Sequence, residues 1–367
     1  MNGVAERLVT PPEDEYIHYR FNVLRNPVPN AFALPDGQIY VHSGMLARLG
    51  SEAELAGLLG HEINHVRGHH SIVGMRSRTN KQIAGAVAGA ALSIGLSAAG
   101  YGSAGSDLAS TMNTLLVASM YSHSRTLEEE ADRLAVGRMV QAGYDPRALP
   151  KLFELLMEDP DGVDPSGATI WATHPAPALR VLNLREQISR DYRLAELEHL
   201  RVTSDAFEAR RLKVAVLTIG DYVAIEQPRT ALRLGRKLAE RYPDRADIQV
   251  AMGDAFLALG PFGSEQDQFS ERDKRRNQRE RYRKTRDERW AEALATETGQ
   301  ASLERNARLA VAAFERARTL DPERVDVERG MGDAQYLLGE LRAAGRHYVS
   351  YLKRSQAALD RERVLER

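Results

Sequence analysis

The sequence of 367 residues predicts a mainly α-helical fold, with an α+β N-terminal domain that contains a small β-sheet and an all-α C-terminal domain. Two observations support this prediction. Strand-like runs separated by turn residues occur in the first 50 residues, and an Ala- and Arg-rich helical pattern fills the chain beyond about residue 200. Because the length exceeds the usual size of one compact domain, we place the domains at residues 1–200 and 201–367.

The composition is that of an ordinary soluble globular protein, with 43% hydrophobic and 28% charged residues. The formal net charge of −1 provides no overall field that would attract nucleic acid, so no nucleic-acid partner is expected. The chain has no cysteine, which excludes disulfides, thiolate metal ligands and a cysteine nucleophile. Reducing and oxidising compartments both tolerate such a chain.

The first 50 residues are predicted to form a short helix and then strands. Residues 21–24 are a candidate strand. Residues 30–34 and 38–42 flank Pro35-Asp36-Gly37, and an Asp-Gly pair between β-rich runs favours a tight turn. The pattern therefore predicts a β-hairpin over residues 30–42.

Two helices with clear boundary signals follow. Ser51 and Glu54 form a capping-box pattern, which predicts a helix that continues through Ile63. A further helix is predicted from about residue 126 to 142, because Gly143 is suited to the left-handed position after a helix.

Residues 82–106 contain no charged side chain and consist mainly of Gly, Ala and Ser. This length could cross a bilayer, and Gly85-x-x-x-Gly89 is a helix-packing pattern. Because Leu, Ile and Val are few, a buried hairpin or a segment lying on a membrane surface is favoured over a membrane span. Membrane-surface contact through residues 82–120 is the corresponding hypothesis.

The C-terminal half contains an internal repeat. The sequence pattern of residues 247–255, whose segment ends at Gly260, recurs in residues 326–334, whose segment ends at Gly339. The offset of 79 residues corresponds to one unit of about 34 residues plus an insertion at about 263–307. A helix, a turn and a second helix with small contact residues resemble a tetratricopeptide repeat, whose stacked units bind partners on a concave surface.

The insertion is strongly basic. Between positions 271 and 289, five acidic residues accompany Arg272, Lys274, Arg275, Arg276, Arg279, Arg281, Arg283, Lys284, Arg286 and Arg289. We favour a solvated, partly helical extension over an anion-binding patch. Tyr282 and Trp290 alone do not form an aromatic platform on which nucleic-acid bases could stack.

His61-Glu62-Ile63-Asn64-His65 is an H-E-x-x-H pattern. On a helix, positions i and i+4 share a face, so both imidazoles can reach one metal ion. Glu62 projects beside that face, where it can take a proton from a metal-activated water and pass it to the leaving amine. The pattern therefore indicates a zinc-dependent peptidase.

Such a site needs a third protein ligand and a vacant fourth position. His69 and His70 follow the motif too soon to supply that ligand. Glu128 and Asp132 are four residues apart, so one carboxylate can bind zinc while the other orients a ligand histidine. The alternative is an exposed acidic helix face with residues 129–130 toward solvent. The upstream motif favours the metal site.

Four blocks of sequence carry a family resemblance: Asn30-Ala31-Phe32-Ala33-Leu34-Pro35, the H-E-x-x-H helix, Ser124-Arg125 before Glu128-x-x-Ala131-Asp132, and Thr173-His174-Pro175 with Arg180. The chain resembles the gluzincins related to HtpX and the CAAX prenyl proteases (metallopeptidase family forty-eight), and it is similar to their periplasmic, repeat-bearing BepA-like branch. The resemblance implies a gluzincin-type domain followed by tetratricopeptide repeats. It also implies one zinc ion per chain, bound by His61, His65 and Glu128, with Glu62 as the general base.

Two positions depart from the family pattern. Asp36 stands where the family usually has Gly, and Asn64 stands where it often has Gly. Neither residue is a metal ligand, so the departures leave the expected catalysis intact.

The resemblance leaves two functional roles open for His174. In gluzincins a distal His or Tyr can stabilise the oxyanion formed when water attacks the peptide carbonyl. In BepA-like proteins the corresponding His can instead occupy the fourth zinc position and hold the enzyme latent. A structural role in a Pro-containing loop is the third alternative. Arg180 is expected to be structural or to assist the oxyanion.

The resemblance also implies an edge strand on which substrate is aligned as an added β-strand, formed by Ile39, Tyr40, Val41 and His42. The predicted function is an endopeptidase that hydrolyses misfolded or stalled cell-envelope proteins, with the repeats recruiting substrate or envelope assembly machinery. The alternative is a repeat-based chaperone or assembly scaffold with a latent or structural zinc site. Glu62 has no purpose in a purely structural site.

The first residues lack the apolar core of a secretory signal. Together with the resemblance, this predicts a periplasmic or membrane-associated protein whose leader is absent from the sequence. A cytoplasmic location is the less favoured alternative.

Overall fold

The computed structural model describes residues 1–10, 14, 16–77, 124–158, 170–175, 177–264 and 284–355. The chain divides into two compact units, Met1–Val214 and Ala215–Arg367. The predicted mainly α-helical fold with one small sheet is confirmed. The hypothesis of membrane-surface contact through residues 82–120 lies outside the described residues, as does most of the basic part of the insertion.

The strands β1 (Arg20–Leu24), β2 (Ala31–Ala33) and β3 (Gln38–His42) form a sheet in the order β1-β3-β2. β2 and β3 are antiparallel, and Gly37 in the turn between them has a φ of +89°, which favours glycine. β1 runs parallel to β3. The predicted hairpin and the predicted first strand are both confirmed.

The position of β3 corrects one prediction. An edge strand that aligns substrate must present unpaired N–H and C=O groups. β3 lies in the middle of the sheet and pairs with β1 on one side and β2 on the other. The prediction that Ile39, Tyr40, Val41 and His42 form the substrate edge is therefore wrong. Among the described residues, the two outer edges of the sheet belong to β1 and β2.

The first unit contains the helices α1 (Asn2–Leu8), α2 (Ser43–Arg48), α3 (Glu52–Arg67), α4 (His70–Ser77), α5 (Arg125–Gln141), α6 (Ala148–Met157), α7 (Ile170–Thr173), α8 (Pro177–Asp191) and α9 (Leu194–Leu197). Helix α10 (Asp205–Ala224) continues into the second unit, so the division at residue 214 falls within a helix.

Helix α3 is a core helix of the first unit. The Ser51 hydroxyl accepts a hydrogen bond of 3.2 Å from the backbone N–H of Glu54, as the capping-box pattern predicts. Every residue from Glu52 to Val66 is buried. Because the H-E-x-x-H residues lie in this stretch, each of their polar groups needs a partner inside the protein.

Helix α5 packs against α3 and matches the predicted second helix to within one residue at each end. Asn64 of α3 joins the two helices. Its side-chain N–H donates to the carbonyl of Ala131 at 3.1 Å, and its side-chain carbonyl accepts from Arg138 at 3.3 Å. These bonds fix α5 beside the part of α3 that carries the histidines.

The second unit contains the helices α11 (Pro228–Arg241), α12 (Ala246–Leu259), α13 (Arg286–Leu294), α14 (Glu297–Leu320), α15 (Asp326–Leu337) and α16 (Leu341–Arg354). α13 forms the described end of the basic insertion, in agreement with a partly helical extension. None of the helices in the described part of the chain is long and apolar enough to cross a membrane.

The two copies of the internal repeat pack on one aromatic ring. Phe314 of α14 is fully buried. A Cβ atom on Gly253 of α12 would lie 2.5 Å from the ring, and one on Gly330 of α15 would lie 2.3 Å from it. Small residues at these contact positions therefore let three helices pack closely. The assignment of the helices to the tetratricopeptide class stays a prediction.

Candidate metal centre

Four buried side chains converge in the first unit. His61 and His65 come from α3, Glu128 from α5, and His174 directly follows α7. Each offers one potential ligand atom, and these four atoms all lie within 4.8 Å of one another. The structure thus brings together the three predicted zinc ligands and the histidine whose role the sequence leaves open.

The distances within this cluster are short. His65 Nε2 lies 2.9 Å from His61 Nε2 and 3.2 Å from Glu128 Oε1. Glu128 Oε2 lies 3.6 Å from His61 Nε2. His174 directs its Nδ1 atom into the same space, 3.3 Å from His61 Nε2 and 3.1 Å from Glu128 Oε2.

The outer contacts of the histidines test whether a cation fits this space. His61 Nδ1 lies 2.8 Å from Asp132 Oδ1, close enough for the carboxylate to favour the tautomer with the proton on Nδ1, although the angle is not that of a good hydrogen bond. His61 Nε2 then carries a lone pair, which faces a second imidazole nitrogen and the Glu128 carboxylate. Such acceptors repel one another unless a cation lies between them. Two imidazoles and one carboxylate are a known catalytic zinc set, so the residues fit a divalent metal.

Arg180 supports the carboxylates of the cluster. Its Nε and Nη2 atoms donate to the two oxygens of Asp132 at 2.7 and 2.8 Å, and its Nη1 lies 2.7 Å from Glu128 Oε2. The guanidinium also lies over the ring of Phe153, 4.3 Å from its centre. The Arg180 side chain is only 2% exposed, so it contacts these protein groups and not solvent.

Glu62 lies beside the cluster and has a different environment. It is buried, and among the described residues its Oε1 atom has no hydrogen-bond partner. His174 Nε2 is 3.8 Å away. Burial raises the pKa of Glu62. By contrast, burial alone would raise the pKa of Glu128, but when no cation is bound the charge of a protonated His174 and hydrogen bonds from His174 and His65 hold it well below its usual range.

One residue next to the cluster, His70, carries no signal of this position in the sequence. His70 is buried, and its Nδ1 atom lies 2.9 Å from His65 Nδ1. Counting residues from the motif excluded His70 as a ligand and gave no sign of this contact, which depends on a break between α3 and α4. The residues of β3 are not members of the cluster, and His42 Nδ1 instead contacts the carbonyl of Val28 at 2.9 Å.

The cluster has the donor set of a metal-dependent peptidase, and comparison with known proteins assigns the chain to a family. Residues 1–188 match the description "Peptidase family M48". The chain belongs to this family.

Several curated relatives are similar to part of the chain. The putative beta-barrel assembly-enhancing protease of Vibrio cholerae is 29% identical over 195 residues, which are 52% of this chain and 39% of that protein. The mitochondrial metalloendopeptidase OMA1 of Schizosaccharomyces pombe is 29% identical over 209 residues, 56% of each chain. OMA1 of Arabidopsis thaliana is 34% identical over 142 residues, 39% of this chain and 26% of that protein. The chain thus spans between about a quarter and just over half of the length of these relatives.

Proposed function

We propose that the chain is a zinc-dependent endopeptidase that cleaves unfolded or misassembled cell-envelope proteins. The observation that carries the proposal is the convergence of His61, His65 and Glu128 on one buried space, with Glu62 beside it. Family membership supplies the peptidase class. The name of one relative refers to beta-barrel assembly, and this motivates an envelope substrate and a periplasmic or membrane-associated location.

The chemistry follows from the environments of the side chains. A zinc ion held by this donor set would polarise the scissile carbonyl and lower the pKa of a water molecule. Because Glu62 Oε1 has no donor among the described residues, it is available to take a proton from the attacking water and return it to the leaving amine. Arg180 is engaged with Asp132 and Glu128, which supports a structural role for it over assistance to the oxyanion.

A single substitution tests the proposed base. Glu62→Gln keeps the shape of the side chain but removes its basicity, so cleavage of an unfolded protein such as casein should fall at least ~100-fold with zinc content unchanged. Glu129→Gln, at an exposed position of α5, is the matched control and should behave as wild type. Equal cleavage by wild type and Glu62→Gln, or the absence of zinc from both, would contradict the proposal.

We further propose that His174 is the fourth ligand of the resting enzyme and holds it latent. The direction of Nδ1 into the ligand space supports this role, because an oxyanion stabiliser would leave that position free for water or substrate. His174→Ala should therefore raise casein cleavage, and adding Glu62→Gln should abolish the gain. A collapse of cleavage in His174→Ala would support the oxyanion role instead.

The substrate edge is proposed to be the outer edge of β2. Helix α3, which carries the histidines, packs against β2. Along an antiparallel strand, the N–H and C=O groups of successive residues point alternately toward and away from the partner strand. The hydrogen bonds from the His42 N–H to the Asn30 carbonyl and from the Leu34 N–H to the Gln38 carbonyl show that the backbone groups of Ala33 point away from β3. Because the sheet does not use these groups, Ala33 is the proposed pairing point for an extended substrate, although the residue itself is buried, at 7% exposed.

The helices of the second unit are proposed to recruit substrate or an assembly partner. In the Glu62→Gln background, a photo-crosslinking residue in place of Val349, which is 51% exposed on α16, should capture envelope proteins. The same crosslinker at exposed Leu182 on α8, in the first unit, is the control. Equal capture at both positions would contradict a role in recruitment.

A further inference from the structure

His70 links a proposed metal ligand to a carboxylate on another helix. The residue begins α4 and is 1% exposed. Its Nδ1 atom lies 2.9 Å from His65 Nδ1, and its Nε2 atom lies 3.7 Å from Glu130 Oε2 on α5. His70 therefore contacts His65 on the side of the ring that faces away from the ligand cluster.

The local backbone is shaped for this contact. α3 ends at Arg67, and His69 has a φ of +49°, a left-handed conformation that residues other than glycine seldom adopt. The turn brings the His70 ring back against α3. A Cβ atom on Gly68 would lie 2.2 Å from His70 Nε2, so glycine at this position leaves room for the ring.

We propose that His70 is a positioning residue that fixes the tautomer and orientation of His65. This role requires one arrangement of protons along the chain from Glu130 to His65. His70 Nε2–H faces the Glu130 carboxylate at an ion-pair distance of 3.7 Å, and His70 Nδ1 accepts the Nδ1–H of His65 at 2.9 Å. The lone pair of His65 Nε2 is thereby directed into the ligand space. The inference rests on the proposed metal-dependent function and adds a residue that orients one of the proposed metal ligands, His65.

The two ligand histidines are then supported in parallel ways from one helix. Asp132 contacts His61 directly, at 2.8 Å, whereas Glu130 reaches His65 only through His70. Removing such an outer partner typically weakens metal binding by ~10–100-fold. The same range is expected here for loss of the His70 acceptor.

Zinc affinity, measured by competition with a chromophoric chelator, is the primary test and does not depend on turnover. His70→Phe keeps an aromatic ring but cannot accept a hydrogen bond, and it should weaken zinc binding by ~10–100-fold. His70→Gln offers a carbonyl acceptor and should recover most of that loss. His69→Asn, at an exposed position suited to a left-handed residue, is the control and should bind as wild type.

A second variant displaces the ring without altering it. Gly68 has φ −75° and ψ −1°, so alanine suits its backbone, but the added methyl group collides with His70. Gly68→Ala should weaken zinc binding in the wild type and have no further effect in the His70→Ala background. Gly137→Ala on α5 is the matched control, because nothing lies within 4 Å of its Cβ position.

The outcomes separate this inference from the function on which it rests. Wild-type zinc affinity in His70→Phe, or a loss in His70→Gln as large as that in His70→Phe, would overturn the positioning role while leaving the peptidase intact. Failure of the wild-type chain to bind zinc would overturn both. A changed visible spectrum of the cobalt-substituted His70→Phe protein, with an unchanged spectrum in His69→Asn, would support the positioning role.

Discussion

Arg180 holds Asp132 through two parallel hydrogen bonds of 2.7 and 2.8 Å, in a pair that is almost completely buried. This fork geometry is specific to a guanidinium facing a carboxylate. Because Asp132 in turn contacts His61 at 2.8 Å, the orientation of a proposed ligand depends on an arginine that is not itself a ligand.

Removing the Arg180 side chain should strongly destabilise the first unit. Arg180→Ala leaves Asp132 and Glu128 buried without their cation, at a cost of about 3–5 kcal/mol. Urea unfolding in EDTA measures the loss without a contribution from bound metal. Arg185→Ala, on the same helix, is the control. It removes an ion pair with Glu154 in which the arginine side chain is 58% exposed, so the free energy of unfolding should change by about 0–1 kcal/mol. Similar losses in the two variants would contradict this account of Arg180.

The pair of Asp14 and Arg138 should make stability depend on pH. Burial alone would raise the pKa of Asp14, but hydrogen bonds from Arg138, the Thr10 N–H and Tyr19 lower it below its ordinary value. The pair therefore stabilises the fold above the unfolded pKa of about 3.9, and this contribution is lost as pH falls through the lower folded value.

Asp14→Asn provides the measurement. In urea unfolding with EDTA present, the stability difference between wild type and Asp14→Asn should be largest near neutral pH and should narrow below about pH 4. Glu186→Gln, at an exposed position of α8, should show no such narrowing. A difference that stays constant down to pH 2 would rule out the titration of Asp14 as its source.

The close packing around Phe314 predicts a strong response to one methyl group. Gly330→Ala places a Cβ atom 2.3 Å from a fully buried ring, which should cost about 1–3 kcal/mol of unfolding free energy. Gly345→Ala in α16 meets no atom within 4 Å and should be neutral or stabilising by up to ~1 kcal/mol. Thermal unfolding of the two variants measures this difference in stability. Equal stability of Gly330→Ala and Gly345→Ala would mean that the helices around Phe314 shift freely to accept the added methyl group.

The proposed substrate edge can be tested with proline. Ala33→Pro removes an N–H that points away from β3, so the sheet should persist while KM for an unfolded substrate rises and zinc affinity stays unchanged. Val23→Pro is the control on the opposite edge of the sheet, in β1. Because the Arg20 N–H bonds toward β3, the N–H of Val23, three residues later, points away from β3, and Val23 is 49% exposed. A larger KM effect in Val23→Pro would assign substrate binding to β1.

Much of the site could be predicted from sequence because its signals are local. The spacing from His61 to His65 places two imidazoles on one helix face, and Glu128 and Asp132 stand four residues apart on another. The capping residue Ser51 and the turn at Gly37 are also short-range signals, and the structure has both elements.

What could not be predicted depends on contacts between distant segments. The alternation along residues 38–42 identifies a strand but not its neighbours, so the parallel pairing with β1 that places β3 in the middle of the sheet was not visible. The contact of His70 with His65 arises from the left-handed backbone of His69, and single-sequence patterns do not specify such a conformation at a histidine.

Helix α5 presents Glu128, Glu130 and Asp132 from one and a half turns, and each meets a different histidine of the α3–α4 segment: Glu128 contacts His65, Glu130 contacts His70 and Asp132 contacts His61. A slide or rotation of α5 would break these three contacts in a single event. The proposed metal site therefore depends on the docking of one helix, and displacing α5 would remove a carboxylate partner from all three histidines at once.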